Sequence, residues 1–218
     1  MNAFLKTAIA GSAVAMACAA NADVVFSQPY DGLGNLFSSQ DDPIEYGNFA
    51  TVWDDFQLSA TTNVNGVAWT GGYFNPPEPA AISSFFLGIY ADAGGTPGGL
   101  LASGSFPGNA GESCGSGAIC TYSLNFSDYQ MNAGTYWVSV VPTIGFPPQW
   151  GWATSAVGTN NAYQCFLGDC GSAGVNMAFD VMGTPAVPEP ETWALMLAGL
   201  GGLAVAARSR RRSEGGAS

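Results

Sequence analysis

The chain has 218 residues, of which 16 are acidic, five are basic and none is histidine, so its formal net charge is −11. The basic residues lie near the two ends: Lys6, Arg208, Arg210, Arg211 and Arg212. The segment 23–187 contains 13 acids and no Lys, Arg or His, since the other three acids are Glu189, Glu191 and Glu214. This composition excludes DNA and RNA as partners, because proteins bind nucleic acids through Lys and Arg.

The first 22 residues have the pattern of a secretory signal peptide. Lys6 supplies the positive charge, Ala8–Ala17 form a short apolar core, and Ala20-Asn21-Ala22 match the A-x-A cleavage site. A lipoprotein interpretation would use Cys18, but the large aliphatic residue usually found three positions earlier is absent. Residues 1–22 are therefore expected to be removed on export.

Residues 23–186 alternate short β-type runs with Gly- and Pro-rich turn clusters, and we expect one ectodomain here. Apolar residues recur at every second position, as a strand requires. The four clearest runs place on shared faces Phe85, Leu87 and Ile89; Tyr122, Leu124 and Phe126; Tyr136, Val138 and Val140; and Val175, Met177, Phe179 and Val181. The pattern predicts an all-β fold, an antiparallel two-sheet sandwich that is jelly-roll-like.

The ectodomain contains four cysteines, an even number in an exported chain: Cys114, Cys120, Cys165 and Cys170. Four cysteines allow three connectivities. Pairing between near neighbours is favoured, because each pair lies in one short Gly-rich loop. A Cys₄ zinc site is the alternative, but the C-x₅-C and C-x₄-C spacings and the oxidising destination favour disulfides.

The ectodomain lacks the residue types that most catalytic sites need. Without His, Lys or Arg it cannot build a Ser-His-Asp triad, a Cys-His pair or a Schiff base. Paired carboxylates remain, as in glycoside hydrolases. Asp54 and Asp55 are adjacent, however, and would point to opposite faces of a strand. A non-catalytic protein is therefore predicted, and a secreted carboxylate-dependent glycoside hydrolase is the alternative.

Two clusters could bind a ligand. Asp41, Asp42 and Glu45 lie in one predicted loop, and they are either solvated acids or ligands of a Ca²⁺ ion, the one cofactor the sequence suggests. Aromatic residues form the second cluster and are either core residues or a platform on which sugar rings stack. This candidate glycan platform consists of Trp69, Tyr73, Trp150 and Trp152.

The C-terminal part has three sections in a fixed order. Val187-Pro188-Glu189-Pro190 is an extended, helix-breaking motif. Residues 193–207 carry no charge and are predicted to form a single transmembrane helix, although this run is shorter than the ~20 residues of a full span. The four arginines of the basic tail 208–212 would stop translocation on the cytoplasmic side.

This order of motif, apolar run and arginine cluster over residues 187–212 resembles the PEP-CTERM sorting signal of Gram-negative bacteria. The resemblance implies that an exosortase, a membrane-embedded cysteine transpeptidase, cuts near the Pro-Glu-Pro motif. It also implies a precursor anchored in the inner membrane and a product at the cell surface or outside the cell. Proteins of this type commonly accompany exopolysaccharide and biofilm production.

The ectodomain also resembles β-sandwich ectodomains that precede bacterial surface-anchoring signals. The phrases that carry this resemblance are WDDFQLSATTNVNGVAWTGGYF, FFLGIYADAGGTPGGLLASG, AGTYWVSVVP and WGWATS. It implies a fold and surface exposure without a settled activity. Together the observations predict an exported, non-catalytic cell-surface or matrix protein that binds exopolysaccharide or acts as a structural or adhesive biofilm component.

Overall fold

The computed structural model describes residues 23–115 and 117–186, together with Met196, Gly199 and Leu200, which are helical. The predicted signal peptide, the motif 187–190 and the basic tail 208–212 lie outside the described residues. So does the predicted transmembrane helix, apart from those three positions. Within the described part of the chain, no helix combines the length and apolar character needed to cross a bilayer.

The described ectodomain consists of strands joined by turns. The first eight strands are β1 (Asp23–Gln28), β2 (Leu36–Ser38), β3 (Gln40–Asp42), β4 (Gly47–Leu58), β5 (Thr62–Phe74), β6 (Ser84–Asp92), β7 (Pro97–Pro107) and β8 (Ser113–Cys114). The remaining seven are β9 (Ile119–Met131), β10 (Gly134–Thr143), β11 (Gln149–Ser155), β12 (Tyr163–Phe166), β13 (Asp169–Ser172), β14 (Asn176–Met177) and β15 (Phe179–Pro185). The predicted all-β class is therefore confirmed for residues 23–186.

The strands form two sheets. In the eight-stranded sheet, β1 pairs with β15, and β15 and β11 pair with successive parts of β5, whose other edge pairs with β9. The seven-stranded sheet has the order β13-β12-β4-β3-β10-β6-β7, with a direct β4–β10 pairing. All pairings are antiparallel except β3 with β10, a single parallel pair between Asp41 and Thr143 that the sequence did not predict.

The core lies between the two sheets, and strand alternation explains which residues enter it. In β6 the predicted face of Phe85, Leu87 and Ile89 is buried. The rings of Trp69 in β5 and Phe85 in β6 meet across the sheets with centroids 5.1 Å apart. Because residues 23–186 supply both sheets, the core between them and four cysteines, this segment contains the parts of an independently folding domain.

Candidate functional site

Both predicted cysteine pairs are bonded in the structure. Cys114–Cys120 joins β8 to β9, and Cys165–Cys170 closes the β12–β13 hairpin. In each case the two residues are direct partners across antiparallel strands. The zinc alternative is therefore wrong, since sulfur atoms bonded to each other are not thiolate ligands.

The predicted glycan platform is wrong because its side chains are core residues. The most exposed of the four is Trp69 at 2%. Trp150 and Trp152 share one face of β11, and this face points into the core. The Trp152 indole donates to the carbonyl of Ala178 at 2.9 Å, so its polar atom is already satisfied inside the protein. A sugar in solution cannot reach these rings.

Glu112, which was not among the predicted site residues, organises one edge of this aromatic core. Its carboxylate accepts hydrogen bonds from the hydroxyls of Tyr73 and Tyr122 and from the Asn109 side chain. The Trp150 indole in turn donates to the Tyr122 hydroxyl at 3.1 Å. Burial is the main cause that raises the pKa of both tyrosines above the ordinary value. The available sequence signal for Glu112 was its position two residues before a cysteine in a Gly-rich turn.

The acids of the suggested calcium site do not converge. Asp42 accepts hydrogen bonds from the backbone N–H groups of Ile44, Glu45 and Tyr46 at 3.0 to 3.3 Å, so it caps the turn between β3 and β4. Burial would raise the pKa of Asp42, but these backbone donors lower it below the ordinary value. Asp41 accepts from the Thr143 hydroxyl, and Glu45 is exposed.

The structure thus does not bring Asp41, Asp42 and Glu45 into one ligand set. Among the described residues, one group of three Cys, Asp or Glu side chains has ligand atoms within 4.8 Å of one another. It consists of Glu112, Cys114 and Cys120, and both of its sulfur atoms belong to a disulfide.

Asp54 and Asp55 point to opposite faces of β4, as predicted. Asp54 is fully buried in the core, where the Met177 N–H donates to it at 2.6 Å from the opposite sheet. Asp54 also accepts hydrogen bonds from the Asp55 N–H and from the side-chain amide nitrogen of Gln28. Burial outweighs the backbone donors and raises the pKa of Asp54 to about 8. Asp55 accepts from the Thr159 hydroxyl at 2.7 Å.

An aromatic groove that was not predicted from the sequence lies on the outer face of the seven-stranded sheet. Trp53 in β4 is directly opposite Tyr163 in β12, and their ring centroids are 6.4 Å apart. Tyr90 from β6 meets the other side of Trp53 edge-on, with centroids 6.1 Å apart. The Tyr90 ring covers Gly88, and its hydroxyl lies 3.2 Å from that of Ser139, so two small residues make room for it.

A loop forms one wall of this groove, which we call the outer-face groove and which encloses about 270 Å³. Asp92 holds the loop by accepting hydrogen bonds from the N–H groups of Gly94 and Gly95 and from the Trp137 indole. The Trp137 bond is the largest effect on the pKa of Asp92, which these donors together lower. The groove is lined by Trp53, Tyr90, Thr96, Pro97, Gly98, Tyr163 and Cys165.

Comparison with known protein families matches residues 186–212 to the PEP-CTERM protein-sorting motif. The chain carries a PEP-CTERM sorting signal. The match includes the predicted motif, the apolar run and the arginine cluster, and it leaves the ectodomain outside. No curated protein matches the chain. The motif indicates an exosortase-sorted surface protein, made as a membrane-anchored precursor.

The position at which the PEP-CTERM segment leaves the ectodomain defines an attachment pole. β15 ends at Pro185, which pairs with Thr62, and the N–H of Ala186 donates to the Thr61 carbonyl at 2.8 Å. The chain therefore leaves beside the turn between β4 and β5. Because β4 has 12 residues and each adds about 3.3 Å, the other end of β4 lies about 40 Å from this pole.

Proposed function

We propose that this PEP-CTERM protein is a non-catalytic surface protein whose ectodomain binds a neutral matrix polysaccharide in the outer-face groove. The observation that carries the proposal is the arrangement of Trp53, Tyr90 and Tyr163 around a partly open cavity. All three rings are partly exposed, in contrast to the rings of the core. They belong to three different strands of a packed sheet, which supports a rigid spacing between them.

The chemistry of the groove favours sugars without charge. Aromatic rings bind the apolar C–H faces of sugar rings, and hydroxyl groups such as those of Tyr163 and Thr96 are suited to the sugar hydroxyls. None of the described residues that line the groove is charged. The net charge of −13 over residues 23–187 would repel an acidic polysaccharide but not a neutral one.

The size of the groove suits part of a long chain. Its volume of about 270 Å³ is near the lower end for pockets that bind small molecules. A groove of this size accommodates one or two sugar rings, while the rest of a polysaccharide extends into solvent. Weak binding to many repeats along one chain gives avidity when several copies are displayed on a surface. This arrangement supports a structural or adhesive role in a biofilm matrix.

The two adjacent acids that suggested a hydrolase, Asp54 and Asp55, are not arranged as a catalytic pair. A glycoside hydrolase needs two carboxyl groups on either side of the scissile bond. Asp54 is buried between the sheets, and Asp55 faces the other side of β4. These two residues therefore cannot act on one substrate.

The test uses residues 23–186 with both disulfides formed, and neutral glucans, galactans and mannans as probes in a glycan array followed by calorimetry. Trp53→Ala and Tyr163→Ala should each weaken binding at least about tenfold, because each removes a ring that contacts the sugar, a loss of about 1.4 kcal/mol. Tyr129→Ala is the matched control, since Tyr129 is a partly exposed aromatic residue of β9 outside the groove, and it should bind like the wild type.

Three results would contradict the proposal. The first is no binding of any neutral polysaccharide by folded wild-type protein. The second is equal loss of binding in Trp53→Ala and Tyr129→Ala. The third is release of new reducing ends from a bound polysaccharide that stops in Asp55→Asn, which would show catalysis.

A further inference from the structure

The pole opposite the attachment pole carries a group of large apolar side chains, which we call the apolar tip. It consists of Ile44, Tyr46, Phe49, Phe146, Phe166 and Leu167. They come from the β3–β4 turn, the start of β4, the β10–β11 loop and the end of the β12–β13 hairpin. Ile44 is 80% exposed and Leu167 is 66% exposed. Contiguous apolar surface of this kind on a soluble domain usually marks an interaction site.

Direct contacts make these side chains one surface. The rings of Phe146, Tyr46, Phe49 and Phe166 form a chain in which successive centroids lie 5.9 to 6.1 Å apart. The backbone also fixes them, because the Leu167 N–H donates to the Phe49 carbonyl at 2.7 Å. Asp42 holds the backbone of Ile44 and Tyr46 through the turn described above. The tip is therefore pre-ordered for contact.

Leu167 occupies a position that the local structure does not favour for leucine. It is the first residue of a two-residue hairpin turn, in which Leu167 and Gly168 both have positive φ, 50° and 93°. Such turns prefer Asn, Asp or Gly at both positions. A side chain that is unfavourable for the turn and exposed to water contributes nothing to the folding of this hairpin. Violations of local preference of this kind tend to occur at functional positions.

We propose that the apolar tip is a self-association surface, at which two copies of this protein meet tip to tip. Two copies cannot form ion pairs through residues 23–187, because this segment contains no cation. Association must therefore rest on apolar contact and hydrogen bonds, and the tip supplies the apolar contact. End-to-end contact also keeps the two acidic bodies farther apart than any side-by-side contact would. The surface is the same on both copies, so one two-fold axis completes the dimer.

The position of the tip agrees with the way the chain is held. The sorting segment leaves from the attachment pole, about 40 Å away along β4, so an anchored copy presents its tip outward. Copies held on two facing surfaces can then meet without moving either anchor. Glu45 and Asp169 are exposed acids that adjoin tip residues in the sequence, and repulsion between such acids of the two copies sets how the dimer depends on salt.

The experiment is sedimentation velocity of residues 23–186, with both disulfides formed, over a range of protein concentrations between about 0.05 M and 0.5 M NaCl. Self-association should become tighter as salt increases, because salt screens like charges and does not weaken apolar contact. Leu167→Asp should weaken the dimer at least about tenfold, because it places a charge in an apolar contact. The matched control is Val24→Asp, which adds the same charge at an exposed position near the attachment pole.

Unchanged thermal melting of both variants verifies that they fold. A monomer at every concentration and salt would overturn the proposal, and so would equal effects of Leu167→Asp and Val24→Asp. Flotation with phosphatidylethanolamine vesicles that is lost in Leu167→Asp, without any dimer, would assign the tip to lipid instead. Association that weakens as salt increases would point to ion pairs and would also overturn the proposal.

Discussion

The aromatic residues of the core and those of the outer-face groove are alike in type but differ in what surrounds them. Trp150 and Trp152 have both ring faces covered, and their indole N–H groups donate inside the protein. Trp53 and Tyr163 lie on the outer face of the seven-stranded sheet, where part of each ring remains exposed. The buried rings stabilise the fold, whereas the rings of the outer-face groove are free to contact a ligand. Substitutions in the core and in the groove should therefore have different effects.

The largest expected effect is that of Trp150→Ala on stability. Removing a buried tryptophan leaves a cavity, and such substitutions cost about 3–5 kcal/mol of unfolding free energy. It also removes the donor to the Tyr122 hydroxyl. Trp53→Ala should cost about 1–2 kcal/mol, since the ring is partly exposed in the wild type. Urea unfolding of both variants measures the difference, and equal losses would contradict the assignment of inner and outer rings.

Asp54 should make the protein less stable as the pH rises. Its folded pKa of about 8 lies above the unfolded value of 3.8, so its stabilising effect is complete below pH 3.8 and is lost as the pH rises towards 8. The slope is about 1.4 kcal/mol per pH unit, which gives roughly 3 kcal/mol between pH 5.5 and 8. Residues 23–187 contain no histidine, and the structure pairs their cysteines, so no other side chain of ordinary pKa titrates in this range.

Urea unfolding at several pH values checks this, with Asp54→Asn as the control because it cannot titrate. The stability of the control should stay constant between pH 5.5 and 8. Parallel curves for the two proteins would mean that Asp54 is already ionised at the lower pH, held so by its backbone donors. The pKa of Asp92 is lowered, so its contribution to stability depends on pH in the opposite direction. That contribution is lost only as the pH falls below 3.8.

Removing the Cys165–Cys170 disulfide should have a smaller effect on stability and a specific effect on the groove. A double Cys→Ala variant should lose roughly 2 kcal/mol in the chain-entropy description of a short loop. The hairpin that it closes carries Tyr163, and Cys165 lines the groove. Polysaccharide affinity should therefore fall. In the matched variant without Cys114–Cys120, stability should fall while affinity is retained, and the reverse pattern would contradict the location of the site.

The smallest expected effect on stability is that of Gly88→Ala. A Cβ atom at Gly88 would lie 2.6 Å from the Tyr90 hydroxyl and 2.7 Å from a ring carbon. The Tyr90 ring must then leave its place beside Trp53, and its contact with Ser139 is lost. Stability should change by less than about 1 kcal/mol, because the ring can move into solvent. Polysaccharide binding should fall, as calorimetry can measure, and unchanged binding would exclude Tyr90 from the site.

Much of the fold could be predicted because strand periodicity is written in the sequence. The alternation in β6 identified the buried face, and the short spacings identified both cysteine pairs. The sorting signal was recognisable because its three sections follow one another along the chain. These features are local, so a single sequence is enough to find them.

The site could not be predicted, because it depends on which face of each strand is covered. In β4, the acid Asp54 is buried and the aromatic Trp53 is partly exposed, which reverses the ordinary preference of both residue types. Asp54 is tolerated in the core because three donors surround it, and these come from β1, β4 and β14. The Tyr90 ring reaches Trp53 across β10 because Gly88 and Ser139, over which the ring lies, are small. Contacts between distant strands decide these points.

The most direct test of the account is a spectrum that resolves the indole N–H signals of residues 23–186 during titration with a neutral polysaccharide fragment chosen from the glycan array. We predict that the signal of Trp53 shifts, with a smaller shift for Trp137, whose N–H is bonded to the groove loop through Asp92. The signals of Trp69, Trp150 and Trp152 should stay unchanged. Shifts at Trp150 and Trp152 with Trp53 unaffected would contradict the account.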